Sequence, residues 1–269
     1  MTREAPIGVF DSGIGGLTVV GEIFRALPGE GVIYLGDTAR VPYGIRSPET
    51  VVRYSLECAR FLISRGIKLL VIACNTASAI ALESIRAASP VPVIGVMEPG
   101  ARAAAAATSN RRVGVIGTQA TVRSGSYERA IRGIDPSIGV FSLACPLFVP
   151  MVEEGWLTGQ IPLLTASKYL AGLRDSGIDT LVLGCTHYPL LKPVISEVME
   201  GVALIDSATE TAREVREELE REGMLRAGGG EPEREFYVTD DPEKFRSVGE
   251  RFLGQGIENI KRVELEEQG

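Results

Sequence analysis

The chain has 269 residues, about 1.8 times the ~150 residues of a typical domain, so the length allows one large domain or two modest ones. Lys and Arg number 28 against 35 Asp and Glu, a net charge of −7, and no basic cluster appears, Arg111-Arg112 being only a pair; a dedicated nucleic-acid or anionic-membrane surface is excluded. Hydrophobic residues at 45% and charged residues at 23% describe an ordinary folded chain. The apolar run at 69–73 is far shorter than the ~20 residues of a membrane span, and residues 1–6, with Arg3 and Glu4, do not read as a secretory signal. Four cysteines without a CxxC pair are too few for a disulfide scaffold, so free thiols in a reducing cytoplasm are expected.

In chain order, Val- and Ile-rich runs at 7–10, 32–35, 69–73, 93–96, 113–116, 140–144 and 181–183 predict buried strands. Between them, the patterns at 49–64, 78–88, 121–131 and 163–175 predict amphipathic helices. Unbroken apolar strands alternating with helices indicate βαβ units, hence an α/β fold with mostly parallel sheets. After the strand at 93–96, the turn at Glu98-Pro99-Gly100 precedes an Ala-rich helix at 101–107. Beyond Asp206 come a charged helix at 209–222, a loose glycine-rich loop at 227–232, a strand at 236–239 and a helix at 241–254.

A repeat runs through this pattern. Gly66-Ile67-Lys68-Leu69-Leu70-Val71-Ile72-Ala73-Cys74 matches Gly177-Ile178-Asp179-Thr180-Leu181-Val182-Leu183-Gly184-Cys185 at a constant offset of 111 residues. Gly8-Val9-Phe10 matches Gly114-Val115-Ile116 at 106, and Val41-Pro42 matches Val149-Pro150 at 108. Two similar, pseudo-symmetric α/β halves facing each other across a cleft are predicted. The expected division gives residues 1–98 with 207–269 to the first domain and 99–206 to the second.

Cys74 and Cys185 each follow a buried strand and open a polar turn, where ligands of open α/β sheets bind. A buried cysteine is commonly a small hydrophobe, but two at matched repeat positions favour chemistry. A helix N-terminus there would favour the thiolate. Cys58, in a helical run, and Cys145, before Pro146, read as packing. The single histidine, His187, stands two residues after Cys185, where it can exchange a proton beside a thiol. Zinc is the rival use of Cys74, Cys185 and His187, but the spacing is not that of a metal site.

The turn Asp11-Ser12-Gly13-Ile14-Gly15-Gly16 is neither a dinucleotide fingerprint nor a P-loop; it is a glycine turn able to cradle a carboxylate with backbone N–H groups. Asp11 reads either as an N-cap or as a group that binds an ammonium or steers a proton. Tyr43-Gly44 and Asn75-Thr76 offer small polar donors at the same sheet edge, which turn chemistry alone would also explain. Glu153 comes towards this cleft through the repeat.

Two thiols on opposite sides of a stereocentre allow one, as thiolate, to remove a proton while the other delivers one to the opposite face. An ordinary thiol pKa of about 8.5 lets either sulfur act as acid or base. A carbanion-like state then needs oriented donors and excluded water. No lysine sits in a recognisable pyridoxal-phosphate setting, so neither cofactor nor metal is expected.

The segments Val9-Phe10-Asp11-Ser12-Gly13-Ile14-Gly15-Gly16-Leu17-Thr18, Tyr34-Leu35-Gly36-Asp37-Thr38-Ala39-Arg40-Val41-Pro42-Tyr43-Gly44, Ala73-Cys74-Asn75-Thr76-Ala77-Ser78 and Gly184-Cys185-Thr186-His187-Tyr188-Pro189-Leu190 resemble those of the glutamate racemases. The resemblance implies interconversion of L- and D-glutamate, supplying D-glutamate for peptidoglycan. It makes Cys74 the base towards D-glutamate and Cys185 the base towards L-glutamate, with Asp11 supporting the first thiol and Glu153 and His187 assisting the second. It makes Ser12, Tyr43, Gly44, Asn75, Thr76 and Thr186 substrate contacts, with Thr118 and Thr121 as further ones; Asp11 and His187 also fall among the residues meeting substrate. It also suggests that the C-terminal segment returns to the first half. The expected partners are a small-molecule substrate and a second copy of the chain in a homodimer, with no nucleic acid or membrane.

Two other readings stand beside this one. A two-thiol racemase acting on aspartate or a hydantoin is disfavoured by the Asp-Ser-Gly turn and by Cys185-Thr186-His187-Tyr188-Pro189. A non-catalytic amino-acid-binding or thiolate–metal module predicts bound zinc and no racemisation. A second role on another protein, such as a topoisomerase, has no visible signal in the sequence.

Overall fold

A computed structural model describes residues 2–265. The chain runs β1 (Ile7–Asp11), α1 (Leu17–Ala26), β2 (Val32–Gly36), α2 (Pro48–Ser64), β3 (Leu69–Ile72), α3 (Asn75–Ala88), β4 (Val93–Gly95) and α4 (Met97–Ala107). It continues through β5 (Arg112–Gly117), α5 (Gln119–Ser124), α6 (Ser126–Ile134), β6 (Gly139–Ala144), α7 (Phe148–Glu153), α8 (Gln160–Asp175), β7 (Thr180–Gly184), α9 (Lys192–Val198) and β8 (Ala203–Asp206). The last elements are α10 (Ser207–Arg221), β9 (Arg234–Val238), α11 (Pro242–Leu253) and β10 (Ile260–Arg262). The fold is α/β, as expected.

Every strand pairing is parallel, in two sheets ordered β10-β9-β2-β1-β3-β4 and β6-β5-β7-β8. The order β2-β1-β3-β4 in the first repeats as β6-β5-β7-β8 in the second. All residues of β1, β2, β3 and β7 are buried, because helices cover both faces of a parallel sheet. The halves also share a packing detail. A Cβ on Gly8 would lie 2.6 Å from Ile67 Cδ1, and one on Gly114 would lie 2.4 Å from Ile178 Cδ1. In each half a glycine on the leading strand therefore makes room for the isoleucine that precedes its neighbour.

The C-terminal strands join the first sheet, β9 pairing with β2 and β10 with β9. Helix α10 packs on both α1 and α4. A buried ion pair fastens the far end of the first sheet: Lys68 Nζ lies 2.5 Å from Glu30 Oε2 and donates to the carbonyls of Arg3 (2.7 Å) and Met224 (2.9 Å).

Several expectations shift. The single helix expected at 121–131 is two, α5 and α6, divided at Gly125, which has φ 64°. Glu98-Pro99-Gly100 forms no turn; it lies within the first turns of α4, where Pro is tolerated because early N–H groups have no intrahelical partner. Strands β8 and β10 add to those expected. Among the described residues no helix is long and apolar enough to cross a membrane.

Candidate active site

The carboxyl ends of β1 and β3 face those of β5 and β7 across a cleft enclosing a cavity of about 210 Å³. Each half contributes its topological switch point, where neighbouring strands send their connections to opposite sides. Ser12, Tyr43, Gly44, Cys74, Asn75 and Thr76 line it from the first half; Thr118, Glu153, Cys185, Thr186 and His187 line it from the second. Asp11 and Thr121 stand one layer back. Asp11 Oδ2 accepts from Gly13 N at 3.0 Å, and Thr121 Oγ1 is within 3.3 Å of Thr76 Oγ1 and 3.0 Å of Thr118 Oγ1. Cys58 and Cys145 do not line the cavity and are buried, in keeping with packing roles.

The two thiols occupy matched positions in unlike settings. Cys74 is the N-cap of α3, its Sγ accepting from Ala77 N at 3.5 Å and lying 3.5 Å from Ser12 Oγ. The first helical bond of α3 runs from Ser78 N to Cys74 O at 2.8 Å. In the repeat, position 78 becomes 189, which is Pro189 and has no N–H. The chain after Cys185 therefore does not start an α-helix. Tyr188 N bonds to Cys185 O at 3.1 Å, and a 3₁₀ turn (Tyr188–Leu191) follows. The expectation that a helix N-terminus stabilises both thiolates is corrected for Cys185.

A side-chain relay stands there instead. His187 Nδ1 lies 3.9 Å from Cys185 Sγ, and His187 Nε2 lies 3.0 Å from Glu153 Oε1. Burial opposes charge on the imidazole, but hydrogen bonds to Cys185 and Glu153 outweigh it and raise the pKa to about 10. The hydrogen bond from His187, against the opposing effect of burial, holds the Glu153 carboxyl below its usual range. Burial, joined by the Asp11 charge, pushes Cys74 up to about 12, against the hydrogen bonds of Ser12 and Ala77. Burial likewise raises Asp11, although His187 pulls the other way.

Neighbouring elements hold these groups in place. Arg251 of α11 donates to the carbonyls of Val152 and Glu153, both at 3.1 Å, and Phe252 meets the His187 ring edge-on at 5.1 Å. A Cβ on Gly15 would lie 2.2 Å from Thr186 Oγ1 and 2.6 Å from His187 Nδ1, so the glycine turn of the first half must be bare to receive the second. Thr18 Oγ1 donates to Thr186 O at 3.1 Å across the same seam. Behind Tyr43, its hydroxyl donates to Asp37, which also accepts from Arg40 and from Thr239 Oγ1.

The sequence reading passed over further lining residues, among them Val41, Pro42, Gln119, Val149 and Pro150. The Val41-Pro42 and Val149-Pro150 repeat was their signal: both dipeptides face the cavity. Among the described residues no Lys or Arg lines it, so an anion there meets backbone donors, hydroxyls, the Asn75 amide and His187. Among the described residues, no three His, Cys, Asp or Glu side chains converge to hold a metal ion.

Comparison with known proteins agrees in sequence and in fold. The model of the Asp/Glu/hydantoin racemase family matches residues 7–215. The glutamate racemase of Geobacter metallireducens is 58% identical over 261 residues, covering 97% of each chain. That of Neisseria gonorrhoeae is 50% identical over 264 residues, covering 98% of each. The crystal structure of the Francisella tularensis glutamate racemase in complex with D-glutamate superposes with a TM-score of 0.93 at 42% identity, covering 97% of this chain and 98% of that one. The chain therefore belongs to the Asp/Glu/hydantoin racemase family, in its glutamate racemase branch.

Proposed function

We propose that the protein interconverts L- and D-glutamate without a cofactor, using Cys74 and Cys185 as paired acid and base, and so supplies D-glutamate for peptidoglycan. The observation that carries the reading is two thiols at repeat-matched strand ends lining one small cavity. With its pKa raised to about 12, Cys74 is a thiol near neutral pH. His187, raised to about 10, is an imidazolium there, the electrostatic partner that a thiolate at Cys185 requires. That pairing suits removal of the α-proton of L-glutamate by Cys185 and delivery of a proton by Cys74 to the opposite face. The reverse direction exchanges the roles, Asp11 supporting Cys74 and the Glu153–His187 pair returning the proton to Cys185. Ser12, Tyr43, Gly44, Asn75, Thr76, Thr118 and Thr186 hold the substrate, with Thr121 steadying Thr76 and Thr118 from behind.

Residues 1–98 with 207–269 as one domain and 99–206 as the other would give each domain one thiol; residues 1 and 266–269 of that division lie outside the described ones. Pairing of β9 and β10 into the first sheet supports it. The enzyme is read as a cytoplasmic homodimer, and a monomer mass by light scattering would remove the dimer without touching the chemistry.

Incubation of L-glutamate with the purified protein in deuterated water, with no added cofactor, is expected to give D-glutamate carrying deuterium at the α-carbon. Exchange on aspartate and not glutamate would overturn the substrate. Bound zinc with no racemisation would favour the thiolate–metal reading, and racemisation that survives a chelator would eliminate it.

A further inference from the structure

Asn75 lines the cavity, and the two ends of its amide are unequally served. Its Oδ1 accepts a 2.6 Å hydrogen bond from the Tyr127 hydroxyl, while its Nδ2 is buried without a hydrogen-bond partner among the described residues. Asn75 belongs to α3 and Tyr127 to α6, so the bond crosses from one half to the other. Next to it, Ser126 Oγ donates to Ala79 O at 2.7 Å, stapling the start of α6 onto α3. Tyr127 is buried and lies outside the cavity lining; the Ser207 side chain also hydrogen-bonds to it.

An asparagine amide offers a donor at one end and an acceptor at the other, and only its surroundings decide which end faces a ligand. We propose that Tyr127 is a positioning residue: by taking the Asn75 carbonyl oxygen as its acceptor, it turns the amide N–H₂ into the cleft to donate to a carboxylate of the bound amino acid. A buried donor without a partner is costly, and a substrate carboxylate removes that cost on binding. The proposal rests on the reading of Asn75 as a substrate contact.

Tyr127→Phe keeps the ring and removes the hydroxyl. With the fold checked by circular dichroism, the KM for glutamate is expected to rise roughly 3- to 10-fold, the worth of one neutral buried hydrogen bond, with kcat within about twofold. In an Asn75→Ala background the same substitution is expected to change KM no further, since the hydroxyl acts only through the amide. Asn75→Asp, which keeps an acceptor for Tyr127 but turns an oxygen to the cleft, is expected to raise KM well above the Asn75→Ala value. An unchanged KM in Tyr127→Phe, or fully additive effects in the double variant, overturns the positioning role while Asn75 keeps its own. An unchanged KM in Asn75→Ala overturns the substrate contact and the proposal with it.

Discussion

Cys74 and Cys185 share a chemical type and a strand-end position, yet they are served differently, Cys74 by a backbone N–H and a serine hydroxyl, Cys185 by an imidazole backed by a carboxylate. On the proposed mechanism each sulfur serves one face of the stereocentre and cannot replace the other. Cys74→Ser and Cys185→Ser are each expected to lower racemisation by at least about 10²–10⁴-fold, the worth of a positioned acid or base, with the melting temperature nearly unchanged. A chirality assay beside a thermal melt checks both. The His187 pKa is raised in the fold, from 6.5 to about 10, so its stabilising contribution is complete below about pH 6.5 and fades as pH rises through about 10. The melting-temperature gap between the native chain and Glu153→Gln is therefore expected to be widest near pH 6 to 7 and to close above pH 10. At this scale the sequence was legible where chemistry-bearing residues repeat or stand at strand ends: the thiols repeat, and the lone histidine and the glycine turn each follow a buried strand. Tyr127 did not, since its contact with Asn75 joins residues 52 positions apart and a lone tyrosine on a helix looks like core.

Elements dictate which glycines must stay bare. Gly15 has no positive φ; its constraint is the second half pressing against it. Gly15→Ala is expected to cost about 1–3 kcal/mol of stability through overpacking, and to depress kcat by moving His187 away from Cys185. Denaturant melts and steady-state rates separate the two effects. Gly8→Ala and Gly114→Ala should each cost a similar ~1–3 kcal/mol while sparing the site, and shortening Ile67 or Ile178 to valine should restore part of it. Most strands could be read from their apolar runs because a parallel sheet buries both faces. β10 could not, being a three-residue edge strand whose Lys261 and Arg262 are exposed, and β8 is only four residues long. The break between α5 and α6 was written as Gly125, whose positive φ only the fold reveals.

For the whole molecule, the far end of the first sheet is tied to its incoming and outgoing chain by one buried charge pair. Glu30→Gln leaves the Lys68 ammonium buried without its counter-charge, and is expected to lower unfolding free energy by about 3–5 kcal/mol in urea titrations while leaving KM unchanged. The twofold repeat announced two facing halves, but the seam between them includes single contacts, among them Thr18 to Thr186, Ser126 to Ala79 and Tyr127 to Asn75, that no periodicity encodes. The seam also shows where the twofold likeness stops: at Pro189, which denies Cys185 the helix that Cys74 enjoys. Mirror-image forms of one solute have the same free energy in water, so their interconversion has an equilibrium constant of unity. The Haldane relation then forces kcat/KM to be equal for the two enantiomers, however unlike the two sulfur environments are. That lopsidedness can surface only as compensating differences in turnover and saturation, a faster direction bound more weakly and a slower one bound more tightly.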